Sequence, residues 1–396
     1  MQHRITVLGA GYAGSFGSGY LARHLHSDDF AITVVNAEPD FVERLRNHQL
    51  AAGQTLKHRP LAKMFAGTGI RLRVARVTAL DPDNRTVTVT DAHGPELLEY
   101  DTLLYALGST AADHGVPGVG EHAHHVASRP AALRLRSRLE ALGGDGTLLV
   151  VGGNLTAIEA ATELAEAHPT LRVVLATRGE LGGWLGPKAR AHLMRAFDRF
   201  GIDVHEHTAI ERVTEQGAFT SAGRLFAADA TVWTAGFAVH PIAAASGLAV
   251  QENGQITVDE HMRSVSHPEV YAAGDAVFTI AENGRPLPMS CASAGPTTKR
   301  AVSSIIHEHT GRKLEIPALS YVGNHISLGR KDAIFQLVDG SAQSKPGAMC
   351  GRMAARLKND ILKGAAIGSA HPTFGMPSRR LHRAASAATS TRAVAA

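Results

Sequence analysis

Three glycines near the start of the chain have the spacing that a phosphate-binding turn requires. An apolar run, Ile5 to Leu8, precedes them, and a helical pattern follows from Tyr12 to Leu25. In such a strand–turn–helix unit the first glycine allows the tight turn, the second admits a pyrophosphate and the third lets the helix pack closely. The helix N-terminus adds amide donors and a positive dipole. The pattern therefore predicts a dinucleotide site at Gly9, Gly11, Tyr12, Ala13 and Gly14.

The strand after this helix would end beside the adenosine ribose of the bound dinucleotide. It runs from Ala31 to Val35 and is followed by Asn36, with Glu38 two residues later. An amide can hydrogen-bond a ribose hydroxyl, although without the charge assistance of a carboxylate. Asn36 is therefore a candidate ribose contact, and Glu38 either replaces it or is simply exposed to solvent.

The same strand–helix–strand unit occurs a second time, with strands at Thr147 to Val151 and Arg172 to Ala176. Its loop keeps the first glycine, but Asn154 replaces the glycine that should admit the pyrophosphate. Asparagine tolerates a left-handed backbone, yet its side chain occupies space. A weakened or lost nucleotide site is therefore the alternative to a second functional one. The predicted contacts to a second dinucleotide in this loop are Gly152, Gly153, Asn154 and Thr156.

No acid follows the second strand of this unit, where an NADH-selective site would place one for the ribose 2′-hydroxyl. Thr177 and Arg178 occupy that position, and Arg178 could accept a 2′-phosphate instead. These two candidate cofactor contacts favour NADPH, or little preference between the two nucleotides.

An acid does follow a short apolar strand later in the chain. Asp275 comes directly after Val270 to Ala273 and Gly274. Because ligands of parallel α/β sheets bind at the carboxyl ends of the strands, we predict a ligand contact at Gly274 and Asp275. The alternative is that Asp275 only caps a following helix.

The length and composition of the chain exclude several classes of protein. With 396 residues, 44% of them hydrophobic, the chain can form two domains plus an appendage. The net charge of +4 equals that of the segment from Met376, which holds four arginines and no acid. A neutral body with 5% aromatic residues does not indicate a nucleic-acid partner. Two separated cysteines, and histidines without nearby acids, predict neither a disulphide framework nor a metal site. We expect a cytoplasmic location and no transmembrane helix.

Four sequence blocks carry a resemblance to known flavoproteins. In their order and spacing the chain resembles the pyridine nucleotide–disulphide oxidoreductase superfamily, most closely its type II NADH dehydrogenase branch. The blocks are Val7 to Gly14, Tyr100 to Ser109, Val150 to Glu159 and Val270 to Ala276.

The resemblance implies an α/β fold of two Rossmann-like dinucleotide-binding domains. A nicotinamide-nucleotide domain (112–237) would be inserted in a discontinuous FAD domain (1–111 and 238–320). A small C-terminal α/β region (321–375) and a disordered basic tail (376–396) would complete the chain.

The resemblance also implies two cofactors, FAD and NAD(P)H, and roles for particular residues. Ala106 and Gly108 would cross between the domains against FAD, and Gly236 would lie at the return crossing. Asp275 would bond a ribityl hydroxyl or a phosphate of FAD. Glu159 would be a catalytic residue near the flavin and the nicotinamide, although the helix dipole alone also favours an acid in a first helical turn.

The implied activity is hydride transfer from NAD(P)H to FAD, followed by electron transfer to a quinone or another small-molecule acceptor. The stretch from Phe41 to Lys57 holds no cysteine, so a local dithiol cannot take part. We interpret Cys291 as a small buried cysteine. The glutamine-rich signature of respiratory quinone reductases is missing. The alternatives are a ferredoxin reductase and a non-catalytic, redox-responsive flavoprotein.

The segment from Met349 to Ile367 carries basic residues among Ala, Leu and Met. Type II dehydrogenases lie on the membrane through such a region. Because Trp and Phe are lacking, we predict at most a weak peripheral membrane contact. The alternative is a packed surface helix at the interface of a possible homodimer.

Overall fold

Two five-stranded sheets organise the fold, seen in a computed structural model that describes all residues except 144, 282–283, 320–322, 340–342, 376–378 and 386–396. The first part of the chain forms β1 (His3–Leu8), α1 (Tyr12–His24), β2 (Phe30–Asn36), α2 (Asn47–Ala51), α3 (Leu61–Phe65), β3 (Ile70–Val74), β4 (Arg76–Asp81), β5 (Thr86–Asp91), β6 (Gly94–Glu99), β7 (Thr102–Tyr105) and β8 (Ser109–Ala111).

The middle of the chain holds the second set of helices and strands. It forms α4 (Val119–His122), β9 (Ala123–His124), α5 (Arg129–Ala141), β10 (Thr147–Val151), α6 (Leu155–Ala167), β11 (Arg172–Ala176), α7 (Pro187–Phe200), β12 (Asp203–His205), β13 (Ile210–Thr214), β14 (Gly217–Thr220), β15 (Leu225–Ala227), β16 (Ala230–Trp233) and β17 (Phe237–Val239).

The remaining elements return to the first sheet and then add a C-terminal layer. They are α8 (Ile242–Ala245), β18 (Ile256–Thr257), β19 (Val270–Ala272), β20 (Val277–Phe278), α9 (Cys291–Thr310), β21 (Gly323–Ser327), β22 (Ala333–Val338), β23 (Ser344–Cys350) and α10 (Arg352–Ala370).

The two parallel sheets have the same strand arrangement. The first has the order β3-β2-β1-β7-β19 and the second β12-β11-β10-β16-β9. Their central strands are buried, as parallel strands covered on both faces should be: β1 ends in four buried residues, and all four residues of β7 are buried. The carboxyl ends of β1 and β10 lead into α1 and α6, so each glycine-rich loop lies at the edge where such sheets bind ligands.

The second sheet is inserted between strands of the first. The chain leaves the first sheet through β8 and returns through β17, and these strands pair antiparallel, with Phe237 opposite Ala111. The Trp233 indole donates a hydrogen bond to the Ala112 carbonyl oxygen at 2.7 Å, which joins the two crossings. After the return, β19 pairs with β7. This order of elements is the doubly dinucleotide-binding α/β architecture that the sequence predicts.

The C-terminal layer packs against the second unit. Strands β21, β22 and β23 form an antiparallel sheet, with α10 following it. The Gly186 amide, just before α7, donates to Gln336 Oε1 at 3.1 Å, and His192 lies 2.7 Å from Asp332. The C-terminal layer therefore packs against helices α6 and α7 of the second unit.

Part of the basic tail is ordered, in contrast to the expectation of disorder from Met376. Leu381 pairs with Leu25 as an isolated bridge, and the His26 amide donates to the Leu381 carbonyl oxygen at 2.9 Å. His382 Nδ1 lies 2.9 Å from an Asp29 carboxylate oxygen. Composition alone did not reveal these partners near α1. The tail residues 376–378 and 386–396 lie outside the described residues.

Candidate functional site

The first glycine-rich loop leaves room for a phosphate group between β1 and α1. Gly9 has a left-handed φ of +93°, and a Cβ atom there would lie 2.5 Å from the Ala106 carbonyl oxygen. A Cβ atom on Gly14 would lie 1.8 Å from the Gly9 oxygen, so only glycine lets α1 pack this closely. A Cβ atom on Gly11 would have no described atom within 4 Å. Because Gly11 caps α1 without a side chain, the first-turn amides remain available to a ligand.

Asn36 uses its side chain to hold this loop. Its Oδ1 accepts a hydrogen bond from the Ala10 amide at 2.8 Å, and its Nδ2 donates to the Glu38 carbonyl oxygen at 2.8 Å. The candidate ribose contact is therefore engaged within the protein. The Glu38 side chain makes no hydrogen bond to any residue that the structure describes, which leaves its carboxylate available to a ribose hydroxyl.

Asp275 lies at the same edge of the first sheet, on a short 3₁₀ turn after β19. Its carboxylate accepts a hydrogen bond from the Ser109 hydroxyl at 2.6 Å. A Cβ atom on Gly274 would lie 3.3 Å from Ala13 Cβ, and Ala13 packs with Ala106 in a small apolar cluster. The structure thus brings together the first loop, the crossing and the Gly274–Asp275 turn, as predicted from three separate blocks.

Arg44 completes this group, and nothing in the sequence singled it out. It lies in a 3₁₀ turn, Arg44–Arg46, and donates to the Ser109 carbonyl oxygen at 2.6 Å and to its hydroxyl at 3.0 Å. Its guanidinium is 3.8 Å from Asp275 and stacks over Phe237 at 5.0 Å. Burial lowers the pKa of Arg44, while Asp275 opposes that shift. Gly108 lies beside the same guanidinium: a Cβ atom on Gly108 would be 4.0 Å from Arg44 Nη1.

The second glycine-rich loop is closed by its own asparagine. Asn154 caps α6: its Oδ1 accepts from the Ala157 amide at 3.1 Å, and its Nδ2 donates to the Thr234 carbonyl oxygen at 2.7 Å. Gly152 has a φ of +136°, and a Cβ atom there would lie 2.8 Å from the Thr234 oxygen. Thr156 is in the first turn of α6. The loop therefore has the predicted turn, but its helix N-terminus already has a side-chain partner.

The residues after β11 lie beside this loop. Thr177 is buried, and its hydroxyl would be 2.3 Å from a Cβ atom on Gly153. Arg178 is exposed. Gly236, at the return crossing, packs against His114. The structure therefore groups Gly152, Gly153, Asn154, Thr177 and Arg178, whereas Gly236 belongs to the crossing.

Glu159 is buried at the boundary with the C-terminal layer. Its carboxylate accepts hydrogen bonds from the Ser327 amide at 2.9 Å and from the Lys358 ammonium. Lys358 also donates to the His325 carbonyl oxygen at 3.0 Å, and His48 Nδ1 lies 4.0 Å from Glu159. Burial lowers the pKa of Lys358 to about 7 and that of His48 to about 3. Glu159 therefore has a buried proton donor as its partner.

Lys358 is the second functional candidate that the sequence reasoning missed, because it was grouped with the surface charges of its helix. A signal existed, however. Lys358 falls on the buried face of α10 together with Ala354, Ala355, Leu362 and Ala366. A lysine at an apolar position of an amphipathic helix requires a buried partner, which here is Glu159.

Comparison with known proteins assigns the family. Residues 3–297 match the pyridine nucleotide-disulphide oxidoreductases. The chain belongs to this family.

Relatives and solved structures agree with that assignment. An NADH dehydrogenase-like protein of Mycobacterium tuberculosis is 28% identical over 355 residues, which cover 84% of this chain and 87% of the relative. A type II NADH:quinone oxidoreductase of Staphylococcus epidermidis is 24% identical over 364 residues, covering 84% and 89%. The sulfide:quinone oxidoreductase structure from Aquifex aeolicus is similar in fold, with a TM-score of 0.79 at 19% identity and coverage of 94% and 93%.

Membership of the family confirms the predicted superfamily, the oxidoreductase class, and FAD and a pyridine nucleotide as cofactors. The family's name refers to a disulphide, yet the only two cysteines of this chain, Cys291 and Cys350, are both free. Cys291 begins α9 near Asp275 and is exposed, in contrast to the buried cysteine that the sequence predicts; desolvation by the protein around it still raises the pKa of its thiol to about 11. A thiol with such a pKa stays protonated near neutral pH and is a poor nucleophile.

Two further features concern metal binding and membrane spans in the described part of the chain. No group of three or more His, Cys, Asp or Glu residues there could hold a metal ion. None of its helices is both long enough and apolar enough to cross a bilayer.

Proposed function

We propose that this protein is an FAD-dependent NAD(P)H dehydrogenase that passes electrons to a quinone or another small acceptor. The observation that carries the proposal is the convergence of the first loop, the Ala106–Gly108 crossing and Asp275 at one sheet edge, next to a second dinucleotide unit. The family assignment and the NADH dehydrogenase-like relatives support it.

The residues at the first sheet edge fit FAD. The open N-terminus of α1 would hold the pyrophosphate, and the space at Gly11 would admit it. Asp275, oriented by Ser109 and Arg44, would accept a hydrogen bond from a ribityl hydroxyl, and Glu38 one from the adenosine ribose. When bound, FAD supplies the redox chemistry, taking up hydride from NAD(P)H and releasing electrons to the acceptor.

The second unit would bind the nicotinamide nucleotide through Gly152, Gly153 and the first turn of α6. Because Asn154 already occupies the helix N-terminus, the nucleotide must displace its side chain or bind around it. This arrangement suits a substrate that leaves after each turnover.

The buried pair of Glu159 and Lys358 can hold the proton that a reduced quinone needs. Reduction of a quinone to a quinol takes up two protons, and Lys358, with its pKa lowered to about 7, can exchange one near neutral pH. We therefore assign Glu159 a role in proton supply on the acceptor side, and Lys358 as its partner.

The acceptor is proposed to be a small molecule, since neither cysteine has a partner for dithiol chemistry. The exposed side of α10 carries Met353 and Ile367 beside Arg352 and Arg356, which supports at most a peripheral membrane contact. A cytoplasmic location and a homodimer remain part of this proposal, with the two free cysteines in favour of a reducing compartment.

Anaerobic reduction and reoxidation of the purified protein tests the function. We expect NAD(P)H to bleach the flavin absorbance. A short-chain quinone should then restore the absorbance on the timescale of catalytic turnover. Cys291→Ser with Cys350→Ser should keep both steps. A flavin that no nucleotide reduces would favour the non-catalytic alternative, and reoxidation by a ferredoxin but not by quinones would favour a ferredoxin reductase.

A further inference from the structure

The end of β11 lacks the carboxylate that would distinguish NADH. Thr177 occupies this position, and its backbone is fixed on both sides: its amide donates to the His205 carbonyl oxygen at 2.9 Å, and its own carbonyl accepts from Thr208 at 2.8 Å. Its side chain is buried against Gly153. A carboxylate here would accept a hydrogen bond from a ribose 2′-hydroxyl and repel a 2′-phosphate. The threonine does neither.

Arg178, the next residue, presents an uncompensated positive charge beside that position. It is exposed and makes no ion pair with any residue that the structure describes. Glu180, two residues further along, and Glu206, which follows the His205 that pairs with Thr177, are both engaged by another arginine: Arg190 lies 3.5 Å from Glu180 and 3.4 Å from Glu206. Neither acid therefore needs Arg178 as a partner, and its guanidinium is available to a ligand.

Arg178 also has the right chemistry for a phosphate. A guanidinium presents several N–H donors in a planar fork and binds phosphate oxygens through charge-assisted hydrogen bonds. Because Arg178 follows the strand end that faces the adenosine ribose in this fold, the group it would meet is the one attached to the ribose 2′ position. In NADH that group is a hydroxyl, and in NADPH it is a phosphate.

We propose that the second nucleotide site selects NADPH over NADH, with Arg178 as the residue that binds the 2′-phosphate. The inference rests on the proposed function, because it assumes that a nicotinamide nucleotide reduces the flavin. Asn154 is in the loop that would meet the pyrophosphate, which both nucleotides share, so it would affect their affinities alike and leave the ratio to Thr177 and Arg178.

Competition between adenosine fragments tests the proposal without relying on turnover. In the holoenzyme, 2′,5′-ADP should bind at least about tenfold more tightly than 5′-AMP, the difference expected for one charge-assisted contact. Arg178→Ala should abolish this difference and leave 5′-AMP binding unchanged. The matched control is Arg172→Ala, at the opposite end of β11, where an exposed arginine pairs with Asp203 at 2.8 Å. This control should retain the wild-type ratio.

Stopped-flow flavin reduction gives the second readout. NADPH should reduce the wild-type flavin with at least about tenfold higher efficiency than NADH, and Arg178→Ala should lower only the NADPH value. Thr177→Asp should shift the preference toward NADH. Because Thr177 is buried, the result for Thr177→Asp counts only if the purified variant retains its flavin. If it loses the flavin, the exposed Arg178→Ala variant decides the test.

The outcomes separate this inference from the proposed function. If neither nucleotide reduces the flavin but 2′,5′-ADP binds through Arg178, the proposed function fails and the phosphate site stands. If NADH reduces the flavin as well as or better than NADPH, and Arg178→Ala leaves the 2′,5′-ADP affinity unchanged, the phosphate site is overturned and the dehydrogenase stands.

Discussion

The two glycine-rich loops of this chain belong to the same kind of βαβ unit, yet only the first is open at its helix N-terminus. Gly11 leaves the first turn of α1 without a side-chain cap, whereas the Asn154 carboxamide occupies the equivalent place on α6. The packing position differs as well. Gly14 has no room for a Cβ atom, but Ala157 fits in the second unit, so α6 does not approach its loop as closely.

This difference shows that a shared topology does not set the affinity for a dinucleotide. A single residue at the middle of the loop decides whether the helix amides are free for a phosphate or are used by the protein itself. The open loop suits a prosthetic group that stays bound. The closed loop suits a substrate that must dissociate, because its phosphate competes with an internal hydrogen bond.

The largest effect is expected from filling the open loop. Gly11→Val should retain the fold, since Gly11 has an extended backbone and no described atom within 4 Å of its Cβ position. The valine would occupy the space of the pyrophosphate, so FAD affinity should fall by about a hundredfold or more, equal to ~2.7 kcal/mol. Flavin absorbance after gel filtration measures the loss, and circular dichroism reports the fold.

Gly120→Val is the matched control for this variant, because Gly120 is exposed in α4 and its Cβ position is also free of described atoms within 4 Å. It should bind FAD like the wild type. Full FAD occupancy in Gly11→Val would show that the first loop is not the FAD site, and the comparison between the loops would then lose its basis.

The next effect concerns Glu159, which lies in α6 five residues after Asn154. Glu159→Gln should slow flavin reoxidation by a quinone by about a hundredfold, the range for loss of a general acid or its partner. Flavin reduction by NAD(P)H should change by less than about twofold. Separate stopped-flow measurements of the two half-reactions decide this. Equal slowing of both would place Glu159 at the nicotinamide as well.

Lys358 should give this step its pH dependence. Burial lowers its pKa to about 7, so the protonated form is lost as pH rises through that value, and quinone reduction should decline above it. Lys358→Met should make the step slow and independent of pH in this range. Lys363→Met, on the exposed side of the same helix, is the control and should keep the wild-type profile. A wild-type rate that is flat between pH 6 and 8 would contradict the proton role.

Sequence reasoning was most successful where the constraint is local. Gly9, Gly11 and Gly14 follow from the geometry of one turn, and the position of Asp275 follows from the end of one strand. Asn36 was placed correctly at the end of β2, but its contact with the Ala10 amide could not be deduced, because the amide orientation depends on the folded loop.

Contacts between distant segments were the part that sequence could not supply. Ser109 is 166 residues from Asp275, and Lys358 is 199 residues from Glu159. Arg44 belongs to no motif, and its role depends on the crossing that brings Ser109 to it. Pairing of this kind arises from how the sheets and the C-terminal layer assemble, which spacing along the chain does not encode.

The smallest effect, and the most direct test of the comparison, is expected from opening the closed loop. Asn154 has an extended backbone conformation, so both glycine and alanine fit there without strain. Asn154→Gly should free the Ala157 amide for a phosphate oxygen and remove the side chain from its path. Glycine is a tolerable N-cap, but the variant also loses the hydrogen bond from Asn154 Nδ2 to the Thr234 carbonyl oxygen, so the expected loss of stability is about 1–2 kcal/mol. The affinity for NADPH and for NADH should therefore rise together, by about threefold to tenfold for one charge-assisted hydrogen bond.

Asn154→Ala separates the effect of the freed amide from the effect of the removed side chain. It frees the same amide but keeps a Cβ atom in the loop, so it should bind both nucleotides less tightly than the glycine variant. Titration of the oxidised holoenzyme with each nucleotide measures these affinities. If Asn154→Gly binds both nucleotides more weakly than the wild type, then the asparagine contributes to the nucleotide site, and the two loops are alike in function despite their different caps.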